Sequence, residues 1–171
     1  MRRIAYIIVL LTTVLSIHAQ DSLPTVRFGY LSYDEALKSM PQYSLVQEQM
    51  AELRSQYQAE TRRVEEEFNR KYEDFLEGQH EFPKTILQKR QTELQELMEK
   101  NITFKENSLK ELEKAEKEAM APLRLRLNDV LTEIGTRNGY AFIYDTDTKA
   151  LPFVNPQTGE DINLIVQNAL K

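Results

Sequence analysis

From Tyr43 to Ile134 the apolar residues fall on two helical stripes. The first carries Tyr43, Val46, Met50, Leu53 and Tyr57, then Val64, Phe68, Tyr72 and Phe75. Steps of three and four place these side chains along one side of a helix. A short break follows, Gly78-Gln79-His80-Glu81-Phe82-Pro83. Beyond it a second stripe begins at Ile86 and Leu87 and continues through Leu94, Leu97, Met98, Ile102, Leu109 and Leu112. It ends with Ala115, Ala119, Leu123, Leu127, Val130, Leu131 and Ile134. Neither stripe can be left in water, and so brief a break predicts an antiparallel helical hairpin. The outgoing helix is expected from about Pro41 to about Glu77, and the return helix from about Lys84 to about Arg137. Proline at 41 suits a first helical turn, and Asn138-Gly139 is a helix stop. Pro122 lies within the return helix and predicts a kink. The heptad rhythm holds to Val64. From Val64 to Phe75 the steps of four, four and three form an eleven-residue period, which locally unwinds a left-handed supercoil.

The strands are expected at the two ends of the chain. Val26 to Leu31 reads as a strand with Val26, Phe28 and Tyr30 on one face. Ser32 and Glu35 have capping-box spacing and would start a short helix through Ala36, Leu37 and Met40. Tyr140 to Tyr144 and Leu151 to Val154 read as two further strands around the turn Asp145–Thr148, forming a β-hairpin. Asp161 can cap a last helix carrying Ile162, Leu164, Ile165 and Val166. The fold class is therefore α+β: a long antiparallel α-helical coiled-coil hairpin, an arm, projecting from a small β-containing oligomerisation body. Residues 20–42 form the first part of the body, 43–121 the arm with its tip at 78–83, and 122–171 the second part. So small a body would bury little apolar area alone. Other subunits should complete its core, through the candidate residues Val26, Phe28, Tyr30, Phe142, Tyr144 and Phe153.

Charge sharpens this picture. Of 171 residues 29% are charged, and most of that charge lies in the hairpin, as a narrow buried seam with wide wet faces requires. The first 19 residues read as a secretory signal peptide. Arg2 and Arg3 begin it, Ile4 to Leu15 form its apolar core, and cleavage is expected after about Ala19. That run is shorter than the roughly 20 residues of a spanning helix, so no stable membrane insertion is expected. The net charge of −5 becomes more negative once the two arginines are removed, which disfavours nucleic acid or an anionic membrane surface as partner.

Candidate chemistry is sparse. With no cysteine there is neither a disulfide nor a thiol site. Past the leader the only histidine is His80, at the polar tip, without partners for metal or base chemistry. Asp145 and Asp147 lack the other ligands of a calcium loop and read as turn residues. No phosphate-binding glycine loop or nucleophile motif is present. The expectation is a protein that is not an enzyme and takes no metal or cofactor. The aromatic residues Tyr57, Phe68, Tyr72, Phe75, Phe82 and Phe104 have two readings. They fill the seam between the helices, or some of them face a cavity and touch other chains. The shift of the stripe from Val64 to Phe75 keeps the second reading open.

This layout resembles the Skp/OmpH family of periplasmic chaperones over the whole chain past the leader. The resemblance is carried by Phe28-Gly29-Tyr30-Leu31-Ser32-Tyr33-Asp34-Glu35-Ala36-Leu37 and by Met40-Pro41-Gln42-Tyr43. Near the other end it is carried by Tyr140-Ala141-Phe142-Ile143-Tyr144-Asp145 and by Asp161-Ile162-Asn163-Leu164. It implies a homotrimer whose strands form a shared body and whose arms enclose a cavity. Such proteins hold unfolded outer-membrane β-barrel proteins in the periplasm without ATP and deliver them for assembly. The best-known members are basic and this chain is acidic, so an electrostatic grip on clients and a lipopolysaccharide site of lysines and arginines are not carried over. The rival reading is a structural or adaptor coiled coil docking on a folded envelope partner, which would need a dry seam along the whole arm.

Overall fold

A computed structural model describes residues 26–171. The expected leader, residues 1–19, lies outside the described residues. Strand β1 spans Phe28–Leu31, helix α1 Tyr33–Lys38, α2 Pro41–Gly78 and α3 Lys84–Asn138. Then come β2 at Ile143–Asp145, a 3-10 turn at Thr146–Thr148, β3 at Gly159–Asp161 and α4 at Asn163–Leu170. α2 and α3 form the hairpin. With 38 and 55 residues, they are about 57 and 83 Å long. α3 stays helical through Pro122 and ends at Gly139, whose left-handed φ of 66° suits glycine. At the tip Phe82 folds back so closely that a Cβ on Gly78 would stand 2.3 Å from its ring. Glycine at 78 leaves room for that ring, which a larger residue would push aside.

The sheet is parallel, with β1 in the middle, in the order β2-β1-β3. The expected β-hairpin is thus corrected in two ways. Leu151–Val154 is not a strand, and the third strand is Gly159–Asp161. β2 begins only at Ile143, and Val26 lies outside β1. A parallel arrangement forces the chain from β2 to cross the sheet before β3 can pair. Residues 149–158 make that crossing. Its path shows in the bond from the Leu151 N–H to the Tyr144 hydroxyl, 2.9 Å, and in Val154 beside Gly159.

The register divides the side chains between two faces. Gly29 pairs with Ile143, and Leu31 with Asp145. This inner face meets the helices: Ile143 approaches Gly135 of α3, and Ile162 and Tyr140 lie against Gly29. Leu31 is buried there with Ala36, Leu37 and Met40, with Leu127 and Ile134 of α3, and with Ile162, Val166 and Leu170. Val46, Met50, Met120 and Leu123 extend the same core into the root of the arm. The core therefore sits at one end of a long molecule.

Polar bonds fix the junction of β1 and α1. The Ser32 hydroxyl accepts from the Glu35 N–H at 3.1 Å, which is half of the expected capping box. The other half is tertiary: the Ser32 N–H donates to the Asn163 side chain at 3.0 Å. The Tyr33 N–H donates to Asp145 at 3.3 Å, and the Asp34 N–H to Asp147 at 2.8 Å. Residues over a hundred positions away thus satisfy the first turn of α1. Asp161 accepts from the Asn163 N–H at 3.0 Å, but it stands one residue before the expected capping position, because Ile162 is the N-cap of α4.

The Asp34 N–H, with the Ser32 hydroxyl, holds the Asp147 carboxyl below its ordinary value of 3.8. A lowered folded-state value means stability that is present above about pH 3.8 and lost as pH falls through the folded value. Asp147→Asn should therefore unfold more easily than the parent at neutral pH, with the gap closing in acid. Urea unfolding at several pH values measures this, and a gap that persists unchanged below the carboxylate range contradicts it.

Candidate interaction surfaces

Two surfaces stand out: the arm beyond its root, and the outer face of the sheet. In the arm the seam is dry only near the base, where Leu53, Leu112, Ala115 and Ala119 pack against the core. Farther out, Ser108 is the one buried residue among those described. The distal seam is held by mixed contacts. Tyr57 and Phe104 meet across it with ring centroids 6.3 Å apart. The Asn101 amide donates to the Val64 carbonyl at 3.0 Å. Lys105 pairs with Glu65 there, while Arg54 pairs with Glu116 at 2.6 Å nearer the root, level with Leu53 and Ala115. These ion pairs are about half exposed and contribute roughly 0–1 kcal/mol each.

The six aromatic candidates divide. Tyr57, Phe68 and Phe104 are half-buried along the seam. Phe68 stacks on Tyr72 at 5.9 Å, and Tyr72 is exposed. Phe75 is half-buried near the tip, and Phe82 closes the tip over Gly78. The structure also brings out residues that the sequence reading had folded into one stripe. Met98, Ile102 and Leu109 are 47, 51 and 69% exposed. Each follows a seam residue by one position: Leu97, Asn101 and Ser108. The apolar stripe of α3 was too wide for one seam, and that width was the legible sign. Asn101 and Ser108 went unmarked because polar residues break an apolar pattern.

On the sheet, the outer face carries four of the six body candidates. Tyr30 pairs in register with Tyr144, and Phe28 stacks on Phe142 with centroids 5.0 Å apart. None of the four belongs to the helix-packed core. The crossing segment 149–158 covers this face in part, yet Phe142 remains half exposed and Phe153 is 75% exposed. Val26 is exposed beside it in sequence. β2 and β3, each three residues long, leave both sheet edges open.

Asp145 and Asp147 direct their carboxylates at N–H groups of α1 and of the turn itself. Among the described residues no group of three or more histidine, aspartate or glutamate side chains is placed to hold a metal ion. His80 is exposed at the tip. No helix of the described residues is long and apolar enough to cross a membrane.

Residues 27–170 match the family described as OmpH, outer membrane protein (OmpH-like). The chain belongs to that family. Its fold is shared with a crystal structure of a candidate outer membrane chaperone (OmpH-like) from Caulobacter crescentus CB15, at a TM-score of 0.66 and 18% identity. The match covers 86% of this chain and 84% of that one. A search of curated protein sequences gives no match. The long hairpin on a small sheet-bearing base is thus the OmpH-like fold.

The uneven seam predicts uneven protection. Backbone amides around Leu123–Ile134 should exchange with deuterium slowest, and those of the distal arm at least about tenfold faster. Hydrogen-exchange mass spectrometry checks this, and uniform protection along α2 and α3 would contradict it.

Proposed function

We propose that this OmpH-like chain is an ATP-independent holdase of the periplasm. It is exported by its first 19 residues, and it binds unfolded outer-membrane β-barrel proteins and keeps them from aggregating in transit. Unfolded barrel strands expose apolar side chains and unpaired edges, which associate readily. Arms that surround such a chain separate it from its neighbours. Many weak and replaceable contacts hold it through high effective concentration. Release requires no nucleotide when folding into the membrane is more favourable than staying bound.

The observation that carries this reading is the arm itself. Its outer part stands far from the core of the base, with a distal seam that leaves apolar and aromatic side chains half open. A docking rod would favour a dry seam throughout, so the same observation speaks against the adaptor reading. The aromatic outer face of the sheet supports assembly into a homotrimer, in which Phe28, Tyr30, Phe142, Tyr144 and Phe153 are buried between copies. Burial of such rings is a large share of interface energy.

Dilution of a urea-denatured outer-membrane barrel should give clear solution with one trimer of the mature chain per barrel, and turbidity without it. Light scattering should return the mass of three chains. Unchanged turbidity at equimolar trimer, or a stable monomer, would count against the reading.

A further inference from the structure

The two flanks of the arm differ sharply in chemistry. On one flank α3 presents Met98, Ile102 and Leu109, all substantially exposed. Two recesses of about 340 and 440 Å³ open between the helices on this side. Phe68 and Asn101 line the outer one, Tyr57 and Ser108 the inner one, and Lys105 borders both. The two therefore form one interrupted groove. On the opposite flank α2 carries an ion ladder: Arg63 pairs with Glu60 at 2.7 Å and with Glu67 at 3.4 Å, and Lys71 pairs with Glu67 at 3.3 Å. There α3 presents Glu96, Lys100, Thr103 and Asn107 around a recess of about 480 Å³ whose one aromatic side chain is Phe104, with no exposed aliphatic residue like those of the first flank. Helical spacing makes this division unavoidable: positions 98, 102, 105 and 109 lie one residue to one side of the seam positions 97, 101, 104 and 108, and 96, 100, 103 and 107 one residue to the other.

We propose that only the Met98–Leu109 flank takes the client, which lies along it as an extended segment with apolar side chains at alternate positions. This rests on the holdase reading above and gives it a direction. The spacing admits such an occupant, and the charged crossing of the groove selects it over a helix. Met98 and Ile102 are one helical turn apart, about 6 Å along the axis, close to the roughly 6.6 Å between alternate side chains of a strand. Lys105 and Leu109 repeat the step. The Lys105–Glu65 pair crosses the groove between the recesses and breaks its apolar run. A docked helix needs a continuous apolar stripe over several turns. An extended chain can place single side chains on either side of the crossing. The pair is exposed and costs little to displace. The ladder on the other flank would have to give up solvated charges to an apolar chain.

The test uses the full mature chain in its assembled form and a dye-labelled unfolded barrel protein, read by anisotropy. Met98→Gln, Ile102→Gln and Leu109→Gln together should weaken binding about tenfold or more. Glu96→Gln, Lys100→Gln and Thr103→Gln together should change it less than about twofold. Photo-cross-linkers placed singly at position 102 or 103 give a second reading that does not depend on the triple variants folding, and adducts should form at 102. If the parent protein fails to bind the unfolded barrel, the holdase reading itself falls. If the parent binds but both triple variants lose equally, or position 103 cross-links as well as 102, the sidedness alone is overturned. Tighter binding of an amphipathic helical peptide than of a peptide with alternating apolar residues would overturn the extended occupant.

Discussion

The burial of one sheet face against the end of a long helix is the contact on which everything else depends. Leu127 and Ile134 of α3 are almost wholly buried together with Leu31 of the central strand and with Ile162, Val166 and Leu170. That cluster joins the two ends of the chain and makes the base a single body. It also determines what remains unburied. A three-stranded sheet has two faces, and the helices cover one. A helix as long as α3 has its last third in the base, so the rest must stand away from it.

Stability therefore falls off along the molecule. At the root of the arm, side chains such as Met50 and Met120 are buried as in a globular core. Beyond Leu112 the two helices are held by an amide–carbonyl bond, an aromatic pair and an exposed ion pair. Such contacts keep the helices in register without drying the seam. An arm built this way stays helical and still offers apolar surface, which is the combination a loose and reversible grip requires. A fully dry arm would be more stable and would have less to offer a client. Under the holdase proposal, such a fold separates the task of staying folded at the base from the task of holding at the arm.

The long helices were legible because a 3.6-residue period sustained over many turns has no other explanation, and Pro41, Gly78 and Gly139 sit where chain geometry calls for them. The first strand and its partnership with the far end of the chain were legible for a similar reason: no other strand-like segment was available to it. The third strand was not. Gly159-Glu160-Asp161 has no apolar alternation, and its glycine is there because Phe28 lies across it. Leu151-Pro152-Phe153-Val154 has strand composition but serves to cross the sheet, a consequence of parallel pairing that composition does not reveal. The faces of the body residues were easier to read than those of the arm residues. Alternation along a strand assigns Phe28, Tyr30, Phe142 and Tyr144 to one face directly. In the arm a shift of one residue separates seam from flank, so Met98, Ile102 and Leu109 passed for core.

The base is argued to be whole only when copies share it, and concentration probes that directly. Sedimentation and circular dichroism of the mature chain should be followed together through a dilution series. The account predicts that dissociation and loss of the folded base coincide, since a separated copy leaves its aromatic face in water. A separated chain that keeps its full helical and tertiary signal at high dilution would contradict it.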